Sequence, residues 1–423
     1  MACYYQKELT PVIRSFSDYK EQIRQVLQDS VTKHMRSDVP VGAFLSSGID
    51  SSAIVALAKE SHPALQTFTV GFEREGFSEI EIAKDTADRL GVANHHKLIT
   101  AQEFVRELPS IIWHMDDPVA DPAAVPLYFV AKEARKHVTV VLSGEGADEL
   151  FSGYTIYREP LALGWFNYMP KLLKSMVGHV AGHFPVGLKG RDYLLRGTTP
   201  LQERYIGNAK ILDEAEKQKL LTNYLKNHTY TDVTKPYYRD IFQYDTTSKM
   251  QYIDLNTWLP GDILVKADRM TMAHSLELRV PFLDKEVFKV AREVPTKYKI
   301  SHKTTKYVLR EAMKGIVPES VLYRKKLGFP VPIRHWLRNE LYEWAKKTIE
   351  GSSTEHIFNK KEAMMLLDAH ASGKADNSRK LWVLICFMLW HAMYIEKSIT
   401  PYRKLQAAEE FIGQEENQTQ MNR

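Results

Sequence analysis

Apolar residues recur at helical spacing between Asp18 and Arg36, at Ile23, Val26, Leu27, Val31 and Met35, which predicts a helix with one buried face. The pattern then changes to short apolar runs separated by helices. Val41–Leu45 reads as a buried strand, followed by the small-residue turn Ser46–Asp50 and a helix from Ser51 to about Glu60. Gln66–Val70, rich in β-branched and aromatic residues, reads as a second strand. Ser78 and Glu81 have the spacing of a capping box. The helix they would open carries Ile80, Ala83, Ala87 and Leu90 on one face until Gly91 stops it. A third strand near His96–Ile99, a helical stretch and a fourth strand at His137–Leu142 follow. Strands alternating with helices at this spacing predict an α/β fold, a parallel sheet with helices on both faces, whose ligands bind beyond the carboxyl ends of the strands. From about Tyr154 to Thr247 the chain is helical and aromatic-rich, and helical patterns run on to about Lys397, which predicts a large α-helical layer. Trp165, Phe166 and Tyr168 are read as packing residues within it. The expected organisation is a linker remnant at 1–17, one unit over 18–400 and a polar tail at 401–423. Within that unit the sheet core spans about 37–150 and the helical part about 154–400.

Charge narrows the class. The 423 residues carry interspersed charges of both signs and a net charge of only +5, so neither a nucleic-acid nor a membrane partner is expected. Two cysteines, Cys3 and Cys386, argue against a disulfide framework and fit a reducing compartment. The N-terminus has no apolar core of a signal peptide. The most apolar stretch, Leu381–Ile395, is shorter than the roughly 20 residues a membrane span needs. A soluble cytoplasmic protein is the expectation.

Two loops carry candidate chemistry. Leu45-Ser46-Ser47-Gly48-Ile49-Asp50-Ser51-Ser52 runs from strand through small-residue turn to helix start, so backbone N–H groups and the helix N-terminus can hold an anion. Asp50 inside an anion cradle makes sense if Mg²⁺ bridges the carboxylate to phosphates. No Gly-x-x-x-x-Gly-Lys-[Ser/Thr] sequence is present, so this is not a Walker loop. The second loop, Ser143-Gly144-Glu145-Gly146-Ala147-Asp148-Glu149-Leu150, follows the fourth strand. Asp148 can complete a metal site begun by Asp50, and Glu145 can act as a base or orient an amine. A Ser/Gly turn capped by Asp50 and an acidic surface turn are the plainer readings.

The first loop resembles the Ser-Gly-Gly-x-Asp-Ser pyrophosphate loop of the ATP pyrophosphatase superfamily, with Ser47 in place of a glycine. The second resembles the Ser-Gly-Glu-Gly-Ser/Ala-Asp-Glu segment of asparagine synthetases; in β-lactam synthetases the position of Glu145 is typically tyrosine. Residues Gly261–Met270 and Ser275–Asp284 resemble the Asp-x-x-x-x-Lys-x-Asp-Arg and Ser-x-Glu-x-Arg-x-Pro-Phe-Leu-Asp stretches of the same family. Glu277 and Arg279 become substrate candidates through that likeness. A buried ion-pair network fixing the helical layer to the sheet is the plainer reading of these charges. Tyr323-Arg324-Lys325-Lys326-Leu327-Gly328-Phe329-Pro330 resembles the segment holding the family's essential lysine, which points to Lys326, with Arg324 assisting.

The resemblance runs to about residue 400 and implies the following. Residues 18–400 form an ATP-binding synthetase domain. Leu45, Ser46, Ser47, Gly48, Ile49, Asp50, Ser51, Val70, Gly71, Ser143 and Gly144 bind ATP, with the bare edge at Val70 and Gly71 suiting adenine. Asp50 and Asp148 hold Mg²⁺. Lys326, Glu145 and Arg324 are catalytic; Glu145, Glu277 and Arg279 meet substrate. The implied reaction adenylates aspartate to β-aspartyl-AMP, releases pyrophosphate, and lets ammonia displace AMP. Family members usually carry an N-terminal glutaminase domain with an N-terminal cysteine nucleophile. Cys3 lies only about 40 residues before the loop and has no such domain around it, so free ammonia or a separate glutaminase domain or subunit is the expected nitrogen source. A homodimer is a further expected partner state. An adenylating amide-forming enzyme of secondary metabolism and a non-catalytic subunit with the same fold are the alternatives left open.

Overall fold

The computed structural model describes residues 8–185, 188–208, 210–239, 241–301, 304–324 and 331–401. Its first helix, α1 (Phe16–His34), starts at Ser15, whose Oγ accepts from Asp18 N while Asp18 Oδ2 accepts from Ser15 N, so both orphan donors are met. Then come β1 (Val41–Phe44), α2 (Ile49–Ser61), β2 (Gln66–Phe72), α3 (Ile80–Leu90), β3 (Ala93–Ile99), α4 (Ala101–Met115), α5 (Ala124–Ala134), β4 (Val140–Leu142) and α6 (Ala147–Phe151). Gly91 ends α3 at φ 62°, a left-handed conformation that suits glycine. The expected capping box at Ser78 and Glu81 does not form. Glu79 is the N-cap, without a side-chain cap, because its carboxylate is turned to Ser47 instead.

All strand pairs are parallel, in the order β3-β2-β1-β4-β5, where β5 is Glu277–Arg279. This fifth strand escapes sequence reading: it is three residues long, two of them charged, and lies at the sheet edge, where no alternation can develop. Side chains of successive strand residues leave on opposite faces. Phe68, Val70, Phe72 and Val141 join the core built with α4, α5 and the helix Ser378–Tyr394, whereas Ala43, Leu45 and Leu142 join the core built with α1, α2 and α3. The expected fold class, a parallel sheet covered on both faces with an extensive helical part, is therefore the one observed. Beyond α6 the chain is mostly helical up to Tyr394, broken by a π-turn at Leu259–Ile263 before the helix Leu264–Met272. Among the described residues no helix is long and apolar enough to cross a membrane.

Candidate active site

Strand order reverses at β1, which has β2 on one side and β4 on the other; such a switch point leaves a crevice at the carboxyl ends of the strands. A cavity of about 460 Å³ opens there. It is lined by Leu45, Ser46, Ser47, Gly48, Ile49, Asp50 and Ser51 after β1, by Val70 in β2, and by Ser143, Gly144, Glu145 and Asp148 after β4. The two loops touch because Gly144 lacks a side chain. A Cβ there would stand 2.9 Å from Asp50 Cβ and 3.1 Å from Ser51 N.

Inside the first loop the hydroxyls brace the turn. Ser46 N donates to Ser51 Oγ (3.0 Å), and Gly48 N donates to Ser46 Oγ (3.2 Å). Ser47 does not have positive φ, so serine is tolerated where the family pattern has glycine. Its hydroxyl donates to the buried Glu79 Oε1 at 2.7 Å, which ties the loop to the start of α3.

A residue that sequence reading missed sits at the centre. Lys306 Nζ lies 2.6 Å from Asp50 Oδ2 and 2.7 Å from Asp148 Oδ1, with only 2% of its side chain exposed. Both carboxylates assigned to one metal site therefore do converge on one point, and an ammonium occupies it. Lys306 has φ 54° at the N-cap of helix Tyr307–Ala312, an unfavourable conformation for a lysine held at a polar site. Room for it comes from Gly153, where a Cβ would fall 1.8 Å from Asp148 Oδ1 and 2.0 Å from Lys306 Cε. Arg310, one helical turn on, also lines the cavity. Asp50 Oδ1 is buried and makes no hydrogen bond.

A second charge group flanks Glu145. Lys266, buried on the helix after the π-turn, pairs with Asp121 Oδ2 and with Asp262 Oδ2 at 3.0 Å. Burial alone would depress the lysine; Asp121, Asp262 and Glu145 together raise it instead. Burial pushes Asp262 up to about 7 against the pull of Lys266. This is a buried ion-pair network of the kind expected for that stretch, and its Lys266 and Asp121 line the cavity together with Trp258 and Ile263. Asp121 accepts from Ala123 N (3.0 Å) and also holds Lys266.

Behind Asp148, Glu149 is buried and accepts a 2.5 Å hydrogen bond from Tyr154 Oη. Burial and then the Asp148 carboxylate push Glu149 up to about 8. A carboxyl raised in the fold stays protonated there while its unfolded counterpart ionises, so it costs stability progressively as pH rises from about 4.5 towards 8. Glu149→Gln removes this cost and keeps the acceptor for Tyr154. In urea unfolding, the stability of the variant relative to the parent is expected to rise between pH 5 and pH 8; a pH-independent difference would show that Glu149 is ionised throughout.

Three sequence assignments are not brought to the cavity. Glu277 and Arg279 lie on the edge strand β5. Arg279 Nε bonds Glu277 Oε1 (2.7 Å), and its Nη1 bonds the carbonyls of His34 and Arg36 (both 2.7 Å), which fastens the end of α1 to the sheet. Gly71 is needed for packing: a Cβ there would stand 2.3 Å from Ser78 Oγ. Arg324 does reach the cavity, with Nη1 3.4 Å from Ser47 O. Lys326 lies outside the described residues.

A family profile for asparagine synthase matches residues 22–392. Among characterised sequences, the glutamine-hydrolysing asparagine synthetase 1 of Bacillus subtilis is 57% identical over 398 residues, covering 94% of this chain and 63% of that protein. The glutamine-hydrolysing asparagine synthetase 3 of the same organism is 28% identical over 387 residues, covering 87% and 58%. The glutamine-hydrolysing asparagine synthetase B of Escherichia coli is 26% identical over 355 residues, covering 79% and 49%. This chain thus spans about half to three-fifths of the length of these relatives. A cradle, a carboxylate pair and an acidic loop gathered at one switch point, in a chain matched along most of its length, mark it as a member of the asparagine synthase family.

Proposed function

We propose that this chain carries out ATP-dependent amide synthesis, adenylating aspartate to β-aspartyl-AMP with release of pyrophosphate and passing the acyl group to ammonia. The observation that carries the reading is the convergence of Asp50, Asp148 and Lys306 beside the anion cradle of residues 45–52, with Glu145 on the same cavity. Backbone donors of the cradle and the start of α2 suit the pyrophosphate of ATP. Lys306, Arg310 and Arg324 supply positive charge on the same cavity, where adenylation accumulates negative charge on the α-phosphate and leaving group. Val70 at the end of β2 offers an apolar edge for adenine. Glu145, positioned near Lys266, is assigned to orient the incoming ammonia or accept its proton. Lys326 stays the proposed catalytic lysine on the strength of its motif.

The residues fit Mg²⁺. Asp50 Oδ1 is a buried carboxylate oxygen without a partner, and Asp148 faces it across Lys306, which makes a hard-oxygen pair of the kind Mg²⁺ takes alongside substrate phosphates. No group of three or more His, Cys, Asp or Glu among the described residues could hold a metal, so phosphate or water oxygens would have to complete the shell. When bound, the ion would neutralise phosphate charge during pyrophosphate departure. Lys306 holds the two carboxylates together, and with the ion bound between Asp50 and Asp148 its ammonium would add positive charge on the same cavity.

The test measures AMP and pyrophosphate from the purified chain with ATP, Mg²⁺ and aspartate, with and without ammonium. Stoichiometric AMP, pyrophosphate and asparagine with ammonium is the expected result. Pyrophosphate release with another carboxylic acid but not with aspartate would keep the adenylation chemistry and overturn the substrate. ADP and phosphate as products would overturn the adenylation itself.

A further inference from the structure

The segment between β2 and α3 brings a carboxylate back onto the first loop. Ser78 forms an isolated antiparallel bridge with Gly71, which pins the chain against the end of β2 just before α3 begins. The next residue, Glu79, is 5% exposed and lines the cavity. Its carboxylate accepts from the Ser47 hydroxyl at 2.7 Å and, more weakly, from Ser47 N at 3.4 Å. Ser47 is buried as well, so little water competes for this contact.

The contact changes what the loop can offer an anion. Three successive N–H groups there are bonded to side-chain oxygens: Ser46 N to Ser51 Oγ (3.0 Å), Ser47 N to Glu79 Oε2, and Gly48 N to Ser46 Oγ (3.2 Å). The two hydroxyls are no obstacle, because a hydroxyl that gives up such a contact can turn and donate its own proton to the anion. A carboxylate only accepts. A phosphate oxygen sharing the Ser47 N–H with it would set two like charges close together in a partly dry wall, where they repel strongly. Asp50 and Asp148 pair with Lys306, and Asp121 pairs with Lys266, whereas Glu79 is turned to the donors of the loop itself. The N–H groups of Ile49, Asp50 and Ser51, in the first turn of α2, are left for the phosphates, since the N-cap Gly48 supplies no side-chain cap. Resting on the pyrophosphate chemistry proposed above, we propose that Glu79 is a positioning residue: it reserves the Ser47 N–H, directs pyrophosphate to the first turn of α2 and keeps the loop's affinity for it low enough for release.

The test is calorimetric titration of the full chain with pyrophosphate in the presence of Mg²⁺, which needs neither an acceptor acid nor turnover. Glu79→Gln keeps the shape and one acceptor for the Ser47 hydroxyl, removes the charge and frees the Ser47 N–H. It is expected to bind pyrophosphate roughly tenfold more tightly than the parent. In turnover followed by AMP formation, KM for ATP should fall and kcat should not rise, since substrate and product gain the same contact. Ser47→Ala removes the 2.7 Å bond and leaves only the long N–H contact, so it is expected to shift the affinity the same way by a smaller factor. A purely structural anchor predicts the opposite sign, because a loosened loop binds an anion less well. Parent-like or weaker pyrophosphate binding by Glu79→Gln, or by Ser47→Ala where only that variant folds, overturns the inference. Absence of pyrophosphate binding by all three proteins overturns it too. Tighter binding by Glu79→Gln beside a parent chain that makes no AMP from aspartate upholds the role of Glu79 and overturns the proposed reaction instead.

Discussion

Lys306→Met is expected to lower the unfolding free energy by about 3–5 kcal/mol, because it leaves two apposed carboxylates without the cation between them. Asp50 and Asp148 both contact Lys306 Nζ within 2.7 Å, and their side chains are each 18% exposed, so water can relieve only part of their repulsion. Urea unfolding with linear extrapolation measures the loss. Two companion experiments separate charge from packing. In Lys306→Met/Asp148→Asn one of the opposed charges is gone, so part of the lost stability should return. Adding Mg²⁺ to the single variant should also stabilise it, if the carboxylate pair accepts that ion. An unchanged urea midpoint for Lys306→Met would mean that Lys306 does not hold the two loops together in solution.

Asp50→Asn is expected to cut pyrophosphate release on the order of 1000-fold, since the lost charge contact with a metal–phosphate unit amounts to several kcal/mol at about 1.4 kcal/mol per tenfold. The fold should survive, because asparagine has the same shape and Lys306 keeps Asp148 as its partner. A readout independent of turnover is the Mg²⁺-dependent rise in melting temperature, expected for the parent chain and weakened in the variant. A folded Asp50→Asn protein that releases pyrophosphate at the parent rate would remove Asp50 from the reaction and shift the weight to Asp148 alone.

The two carboxylates in these predictions were legible in the sequence, and the lysine was not; the difference has a physical cause. Asp50 and Asp148 sit in small-residue loops directly after buried strands, and the ends of strands in a parallel sheet are where ligands gather. Short apolar runs, β-branched content and helical spacing also set the alternation of β1 to β4 with helices between them, and a glycine in the left-handed region ends α3 where expected. These are local signals. Each depends on a residue and its near neighbours, so the linear order carries them.

What the tertiary structure alone decided are pairings between distant segments. Lys306 reaches Asp50 across 256 positions, and nothing in the residues around it announces that contact. The adjacency of β1 and β4, which brings the two acidic loops together, follows from the strand order and not from the strands themselves. Glu277 and Arg279, marked for substrate by motif likeness, lie on an edge strand off the cavity, where Arg279 anchors the end of α1. The Ser78–Glu81 spacing was outcompeted when Glu79 took the Ser47 hydroxyl, a partner 32 residues away. Trp165 and Tyr168 were read as packing residues and are exposed, because apolarity marks what can be buried, while burial needs a second surface that only the assembled layers provide.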